Sequence, residues 1–260
     1  MFELPYLEIC AEIFDKRFKN RVLQKVDIQQ EKCINVSIAE LNESLTGNEL
    51  KKIWREGLSL RFQFKNYAIL EMSLSSSAEL HMIEQNSDDA YFGLLNLYFS
   101  GGQILSVRDD QEFSRFRLKP VPESVPDVLS KEMIFEYLMD LFSNSEEEIK
   151  QVLVDQGLVR GIGEAYADEI LWYAEISPFS IANKIPLDKV KELYKTIKYV
   201  LLDAIKETRK LSALKFDKAD PDLLMIHNAG RRNSPTGKAI KVKIWNETTT
   251  YYTDEQILYK

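Results

Sequence analysis

The stretch Glu148–Pro178, EIKQVLVDQGLVRGIGEAYADEILWYAEISP, decides how this chain is interpreted. Apolar residues recur at helical spacing before residue 157 and after residue 163, and Gly161-Ile-Gly163 interrupts them. The pattern predicts two helices joined by a glycine-rich turn. One interpretation is an ordinary helical hairpin whose glycines allow close packing. The other is a phosphate site, because the first N–H groups of a helix point outward and attract anions.

Length and composition predict a globular protein of two domains. With 260 residues, 45% of them hydrophobic, the chain can bury a sizeable core. Its two cysteines, Cys10 and Cys33, are too few for a disulfide framework or a four-cysteine metal site, so we expect buried thiols in a reducing compartment. No apolar run is long enough to cross a membrane. We therefore expect a cytoplasmic protein, monomeric and without a membrane partner.

The charge is unevenly distributed along the chain. The net charge is −7, which argues against a surface that is basic throughout. Leu223–Asn246 nevertheless contains five basic residues and no acidic one, whereas Glu132–Glu148 contains six acidic residues and no basic one. A surface that faces nucleic acid is consistent with this pattern, and so is a pair of solvated faces on a helix and a hairpin.

The order of predicted elements indicates an α+β protein. A helix entered at Pro5 precedes short alternating segments, a proline-rich linker, several helices and a final hairpin. We predict a β-sandwich at 1–119, a linker at 120–128, a helical domain at 129–222 and a β-hairpin at 223–260. A helical insert is expected at Asn48–Trp54. The predicted strands are Arg21–Ile28, Cys33–Ala39, Leu58–Phe64, Tyr67–Leu74, Ala78–Ile83, Tyr91–Phe99, Gln103–Arg108, Phe113–Leu118, Ala239–Trp245 and Thr249–Ile257.

The glycine-rich stretch resembles the helix-two-turns-helix of the formamidopyrimidine-DNA glycosylase/endonuclease VIII family. The residues that carry the resemblance are Ile149, Lys150, Leu153, Asp155, Leu158, Val159, Gly161, Gly163, Tyr166, Ala167 and Glu169. Glu3-Leu4-Pro5 is also similar to the start of the family's mature chains. The resemblance implies a base-excision-repair DNA glycosylase and abasic-site lyase whose partner is damaged or abasic duplex DNA.

The family's chemistry depends on the N-terminus. In the family, Met is removed and the amine of an exposed proline attacks C1′ of the damaged nucleotide to form a Schiff base. Here the corresponding catalytic candidates are Glu3, Met1 and Phe2. Because Met removal generally needs a small second residue, we expect Met1 to stay and the Phe2 nitrogen to be an amide without a nucleophilic lone pair.

The resemblance also implies a set of DNA contacts, several of them altered. Glu164 stands where the family has a phosphate-binding Asn, Asn66 where it has a lysine, and Glu112 where it has an arginine that pairs with the orphaned base. Phe113 alone remains to wedge between bases. The candidate DNA-binding residues are Lys65, Phe113, Lys150, Arg160, Gly161, Gly163, Glu164, Tyr166, Arg231 and Arg232.

The C-terminal segment is similar to a zincless form of the family's finger. An alignment without gaps puts Asn233, Thr236, Thr253 and Gln256 at the positions of the four zinc-binding cysteines, and Thr248 at that of the tip arginine. These side chains are not a plausible set of zinc ligands, so we predict no metal and no cofactor. A plain C-terminal hairpin is the alternative.

Two functions from different classes remain open. The first is an active glycosylase and lyase in which Glu3 assists opening of the sugar ring. The second is a non-catalytic protein that keeps the glycosylase fold and binds DNA or another partner. The resemblance of the fold favours the first function, which is the one we expect. The altered residues lie at the positions of chemistry or DNA contact, and they favour the second.

Overall fold

The computed structural model describes residues 2–84, 93–212, 221–245 and 248–260. The chain divides into two compact units. One is built on Tyr6–Pro122. The other contains Glu3–Pro5, Glu123–Leu211 and the C-terminal segments from residue 221 onward.

The first unit is a β-sandwich. Its strands form two antiparallel sheets of four, in the orders β1-β6-β7-β5 and β2-β3-β4-β8. Large side chains between the sheets, among them Phe62, Phe99 and Phe116, are fully buried. The elements are α1 (Leu4–Phe18), β1 (Leu23–Ile28), α2 (Ile38–Leu45), β2 (Leu50–Glu56), β3 (Ser59–Phe64), β4 (Ile69–Ser73), β5 (Glu79–Glu84), β6 (Leu95–Phe99), β7 (Gln103–Arg108) and β8 (Arg115–Leu118).

The second unit is helical and ends in a β-hairpin. Strands β9 and β10 pair antiparallel, with Lys241 opposite Tyr252 and Trp245 opposite Thr248. Its elements are α3 (Phe135–Ser143), α4 (Ile149–Val154), α5 (Glu164–Tyr173), α6 (Leu187–Ser212), β9 (Lys241–Trp245) and β10 (Thr248–Tyr252). None of the helices described here is both long and apolar enough to cross a bilayer.

The predicted fold class is confirmed, but two local predictions are wrong. The predicted strand Cys33–Ala39 is replaced by a short 3-10 turn and α2, because Ser37 caps that helix by accepting the N–H of Glu40 at 3.2 Å. The predicted helical insert at Asn48–Trp54 is strand β2. A bulge between Leu50 and Lys52 puts Leu50 and Ile53 on the buried side with a spacing of three, which imitates a helix.

Several predicted boundaries also move. The predicted strand at Tyr91–Phe99 begins outside the described residues, and β6 starts at Leu95. Strand β10 ends at Tyr252 rather than Ile257, because the Thr253 N–H turns to the side-chain oxygen of Gln256 at 2.8 Å.

Candidate functional site

The glycine-rich turn between α4 and α5 is held together by its own side chains. Asp155 ends α4 and accepts the N–H of Gly157 at 2.7 Å. The Gln156 amide accepts the N–H of Gly161 at 2.9 Å and donates to the carbonyls of Val154 and Ile162. Gly161 has φ +101°, a conformation that favours glycine. The predicted helix–turn–helix is therefore present and rigid.

Glu3 caps the N-terminus of α5. Gly163 precedes the helix and has no side chain with which to cap it. The Glu3 carboxylate takes that role, accepting the N–H of Ala165 at 2.9 Å and that of Tyr166 at 3.1 Å. A Cβ on Gly163 would lie only 2.5 Å from Cδ of Glu3. The glycine is thus required so that a carboxylate from another part of the chain can reach the helix.

The surroundings of Glu3 favour its protonated form. Burial raises the pKa of Glu3 above its ordinary value, and the two backbone hydrogen bonds only partly oppose that rise. Among the neighbouring charges, His227 lowers this pKa and Glu164 raises it. Burial and the nearby carboxylates of Glu3 and Glu169 also raise the pKa of Tyr166. Glu3 is therefore a carboxyl group suited to giving and taking a proton.

Lys150 lies inside the unit instead of on its surface. Its Nζ is 2.8 Å from Oδ1 of Asp168 and 3.0 Å from Oε2 of Glu164. It also donates to the carbonyl of Thr249 and the hydroxyl of Thr250, each at 3.0 Å. With four oxygens around three N–H groups, Lys150 has no donor left for a phosphate. In this conformation Lys150 is engaged by oxygens of the protein, and its contact with DNA stays a prediction.

Groups of the protein itself bind part of the anion site predicted after Gly161. Gln156 holds the N–H of Gly161, and Glu3 holds those of Ala165 and Tyr166. Arg160 is buried, and its backbone pairs with the segment at Pro126–Val128. Protein groups thus accept three of the N–H groups here, and Lys150 and Arg160 are both buried, while phosphate binding at this turn stays a prediction.

Glu164 stays partly exposed at the edge of this cluster. Its side chain is 36% accessible and makes the ion pair with Lys150. Together with Lys150, Thr248 and Thr250 it lines a small cavity of about 40 Å³. Arg232 is exposed, and Arg231 donates to the carbonyl of Asp222 at 2.9 Å. The structure thus brings Glu3, Gly163, Glu164, Tyr166 and Lys150 together, while the two arginines lie on a separate loop.

Phe2, Lys65 and Phe113 belong to the other unit. Phe2 packs against the sandwich core, with its ring centroid 5.6 Å from that of Tyr6. Met1 lies outside the described residues. Lys65 is exposed and pairs with Glu49 at 2.7 Å, while the neighbouring Asn66 donates to the carbonyl of Ser44 at 2.8 Å.

The loop that carries Phe113 is built around Asp109. This buried carboxylate accepts the N–H groups of Gln111, Phe113 and Ser114. It also accepts the hydroxyls of Ser75, Ser77 and Ser114. The result is a preformed loop on which the Phe113 side chain is 66% exposed. Glu112, at φ +56°, pairs with Lys32 instead of pointing away from the protein.

Side chains at three of the four candidate zinc-binding positions, Thr236, Thr253 and Gln256, make hydrogen bonds to other groups of the protein. The hydroxyls of Thr236 and Thr253 both donate to Oε2 of Glu255, at 2.7 and 3.3 Å. The Gln256 side chain accepts the N–H of Thr253 and donates to the carbonyl of Ile176. These hydroxyl and amide groups do not fit zinc, and within the described part of the chain no group of three or more His, Cys, Asp or Glu side chains is placed to hold a metal ion.

Three residues of this cluster were not predicted as site residues. Asp168 and Glu169 are buried on α5, and His227 lies on the segment that follows the last 3-10 turn. His227 Nδ1 is 2.7 Å from Oδ2 of Asp168. The sequence gives one weak signal, because Asp168 is four residues after Glu164 and so shares its helix face. Nothing local indicates a partner 59 residues away.

Comparison with known proteins gives consistent matches over most of the chain. The formamidopyrimidine-DNA glycosylase N-terminal domain matches residues 1–116, and the H2TH domain of the same enzymes matches residues 125–215. A formamidopyrimidine-DNA glycosylase of Lactobacillus gasseri is 28% identical over the whole of both chains. That of Carboxydothermus hydrogenoformans is 30% identical over 77% of this chain and 76% of its own.

Solved structures give the same result for the fold. The formamidopyrimidine-DNA glycosylase of Lactococcus lactis bound to DNA with an abasic site superposes with a TM-score of 0.85, at 21% identity and over 96% of this chain and 97% of that one. MutM in complex with DNA that contains carbocyclic 8-oxo-G gives 0.85 at 21% identity, over 97% and 98% of the two chains. With both domains matched in order and with relatives aligned along most or all of its length, this protein belongs to the formamidopyrimidine-DNA glycosylase family.

Proposed function

We propose that this protein recognises damaged or abasic sites in duplex DNA during base-excision repair, and that it forms the family's covalent intermediate slowly or not at all. The observation that carries the proposal is the setting of Glu3. Its carboxyl group is buried, fixed by two backbone N–H groups and biased towards its protonated form.

Glu3 would supply the acid half of the reaction. A protonated Glu3 can donate its proton to the sugar ring oxygen as the bond between that oxygen and C1′ breaks. The other half is an amine whose lone pair forms a bond to C1′ and expels the base. If Met1 is retained, residue 2 contributes only an amide, and the Met1 amine stands up to about 3.6 Å from the position of the family's nucleophile. A misplacement of about 1 Å can cost two orders of magnitude in rate.

The packing of Phe2 supports this view of the N-terminus. Its ring lies against the sandwich core and the Tyr6 ring, so the side chain has a structural role that proline would not fill. A second candidate function, binding without chemistry, is favoured by Phe2, because its nitrogen is a non-nucleophilic amide if Met1 is retained. The two candidates differ in whether a covalent complex forms, and both require DNA binding.

Borohydride trapping on a duplex with one abasic site tests the chemistry. We expect the native protein to bind this duplex in fluorescence anisotropy but to give little trapped complex. Phe2→Pro should allow Met removal, which intact mass will report, and should increase trapping, while the double variant Phe2→Pro/Glu3→Gln should lose the increase. Efficient trapping by the native protein, abolished when its terminal amine is blocked, would overturn the proposal of slow chemistry. Failure to prefer the abasic duplex over an undamaged one would overturn DNA-lesion recognition.

Salt dependence tests the binding surface. Arg232→Gln should lower the slope of log affinity against log salt by about one unit if that exposed arginine contacts a phosphate. Glu164→Asn should tighten binding, by roughly three- to tenfold, if that carboxylate faces DNA. Glu148→Gln, which removes a charge lining the same cavity, is the matched control and should have a smaller effect. Unchanged or weaker binding by Glu164→Asn would mean that this position does not meet DNA.

A further inference from the structure

A groove on the sandwich combines basic and apolar side chains. It has a volume of about 690 Å³ and lies between the end of α1 and the strands β5 and β7. The side chains that determine its chemistry are those of Ile13, Lys16, Arg17, Arg21, Met82 and Glu84. Three of them are basic and one is acidic, although the whole chain has a net charge of −7. The groove is therefore a local cationic surface on an acidic protein.

The two arginines of the groove are held in place by other groups of the sandwich. Nε of Arg17 donates to Oε1 of Gln103 at 2.7 Å, and Nη2 of Arg17 is 3.8 Å from Oε1 of Glu84. Arg21 donates from Nε to the carbonyl of Arg17 at 2.9 Å and from Nη1 to that of Ser100 at 2.8 Å. These hydrogen bonds use at most two of the five N–H donors of each guanidinium. Each arginine is thus fixed and still has donors for a further acceptor.

The turn between β6 and β7 makes room for Arg21. Gly101 has φ +83°, and a Cβ at this position would lie only 2.4 Å from Nη1 of Arg21. The hydroxyl of the preceding residue, Ser100, accepts the N–H of Val22 at 3.1 Å, which ties the turn to the segment that carries the arginine. A cation that is already ordered loses less conformational freedom when it binds a ligand. The cationic side of the groove is therefore preorganised.

Lys16, Met82 and Ile13 complete the groove. Lys16 is exposed, and among the described residues its ammonium has no hydrogen bond or ion pair. Met82 is 38% exposed on β5, and Ile13 is partly buried against the sandwich core. A methionine side chain is unbranched and adapts to the shape of an apolar partner. The groove thus offers an ammonium, guanidinium donors and apolar surface to the same ligand.

The groove lies at the end of the β5–β7 pair that is remote from the loop of Phe113. Glu84 is opposite Gln103 at the groove end of this pair, and Glu79 is opposite Arg108 at the other end. The loop that carries Phe113 follows Arg108. Five residues of extended strand separate the two ends by about 17 Å. A ligand in the groove and a base step wedged by Phe113 would therefore contact different ends of the sandwich.

We propose that the groove binds an acidic peptide segment of a partner protein, in which apolar side chains are flanked by carboxylates. The carboxylates pair with Lys16 and with the remaining donors of Arg17 and Arg21. The apolar side chains pack on Met82 and Ile13. Duplex DNA fits these features less well, because its phosphates bring no apolar side chain and the loop predicted to enter DNA lies at the other end. The partner docks without occupying that loop, so this site goes beyond the proposed function.

The test uses a fluorescein-labelled peptide, Asp-Glu-Leu-Asp-Phe-Glu-Asp-Leu, and the intact protein without DNA. We expect a saturable rise in fluorescence anisotropy as protein is added. Two matched peptides separate the contributions: one has Asn and Gln in place of Asp and Glu, and the other has Ser in place of Leu and Phe. Each should bind roughly tenfold more weakly or worse, because the first lacks the charges and the second lacks the apolar contacts.

Variants of the protein locate the site. Lys16→Glu reverses one charge of the groove and should weaken peptide binding by roughly tenfold or more. Lys19→Glu is the matched control, because Lys19 lies just beyond the same helix, pairs with Asp15 and does not line the groove. Met82→Gln keeps the size of the side chain but not its apolar character, and it should weaken binding by about threefold or more. Lys16→Glu should bind an abasic duplex as the native protein does, which separates this site from the proposed function.

Four results would overturn the proposal. The first is the absence of saturable binding of the acidic peptide. The second is an equal loss of binding in Lys16→Glu and Lys19→Glu, which would show a response to overall charge alone. The third is displacement of the bound peptide by an undamaged duplex, which would make the groove part of the nucleic-acid surface. The fourth is a dimer in sedimentation velocity that Lys16→Glu abolishes, which would assign the groove to a second copy of the chain.

Discussion

Glu3 and Asp109 are two buried carboxylates whose proton affinities are shifted in opposite directions. Asp109 accepts six hydrogen bonds, and although burial acts to raise its pKa, the bonds from Ser114, Ser75 and Ser77 lower that pKa to about 2. Glu3 accepts two backbone bonds, and burial raises its pKa in spite of them. The larger number of donors to Asp109 and the greater cost of burial at Glu3 together account for the two outcomes. A fully satisfied carboxylate is a fixed structural anion, whereas an incompletely satisfied one can exchange a proton.

The largest expected effect that tests this contrast is that of Asp109→Ala. The variant leaves buried N–H and hydroxyl groups without an acceptor, and we expect the free energy of unfolding of the sandwich to fall by about 3 kcal/mol. Trp54 is the only tryptophan of that unit, so urea denaturation followed by its fluorescence in a Trp172→Phe/Trp245→Phe background reports on it. Asp110→Ala, which removes an exposed pair with Arg108, should have a much smaller effect, because solvent screens that pair. Similar losses of stability in both variants would mean that the hydrogen bonds to the Asp109 carboxylate do not stabilise the sandwich.

The acid dependence of stability gives the next largest effect. The folded-state pKa of Asp109 is lowered from 3.8 to about 2, so its contribution is complete only above about pH 5 and is lost as the pH falls through about 2. The loss should amount to about 2 kcal/mol. Asp109→Asn should lack this part of the acid transition, which denaturation series at pH 5, 4, 3 and 2 would show. An unchanged acid profile in Asp109→Asn would mean that the carboxylate is not strongly stabilised.

A smaller effect on stability is expected at the Glu3 end. Gly163→Ala puts a methyl group where the Glu3 carboxylate lies, so the cap should be displaced at a cost of about 1–2 kcal/mol. Hydrogen exchange of the Ala165 and Tyr166 amides should become faster, because these two groups lose their acceptor. Gly157→Ala is the control, since its nearest neighbour is the movable Asp155 side chain. Unaltered protection of both amides in Gly163→Ala would contradict the role of Glu3 as the cap.

The smallest expected effect tests whether the number of hydrogen-bond donors controls the pKa of Asp109. Ser77→Ala removes one of the six donors to Asp109 and should cost about 0.5–1 kcal/mol. The pKa of Asp109 should rise, so that its carboxyl carbon titrates at higher pH than in the native protein. Ser76→Ala, at the exposed neighbouring position, should leave that titration in place. A titration of Asp109 unaffected by Ser77→Ala would show that donor number is not the controlling factor.

Local signals were sufficient for most of the fold and insufficient for much of the site. The helix pair around Gly161 and Gly163 was predictable because its apolar period and glycine breaks are contained in one stretch. Strand β2 was not, because its bulge gives buried residues a helical spacing. Lys150 and Arg160 look like exposed cations in the sequence, and only the folded structure shows that both are buried. The partners of Asp168 are similarly remote, because Tyr251 is 83 residues away and His227 is 59.

The capping of α5 by Glu3 also has a consequence for the order of folding. Glu3 meets Ala165 across 162 residues, and Asp168 meets Tyr251 across a further 83. Contacts of such long sequence separation form late, because closing a large loop costs conformational entropy before the contact contributes any stability. During synthesis, α5 leaves the ribosome long after Glu3, and its carboxylates acquire their last partners only when Tyr251 has emerged. A truncated chain that contains both α4 and α5 would therefore still lack the partners that Asp168 and Glu169 find between Met225 and Tyr251, so these two carboxylates would reach their final environment only once almost the whole chain has folded.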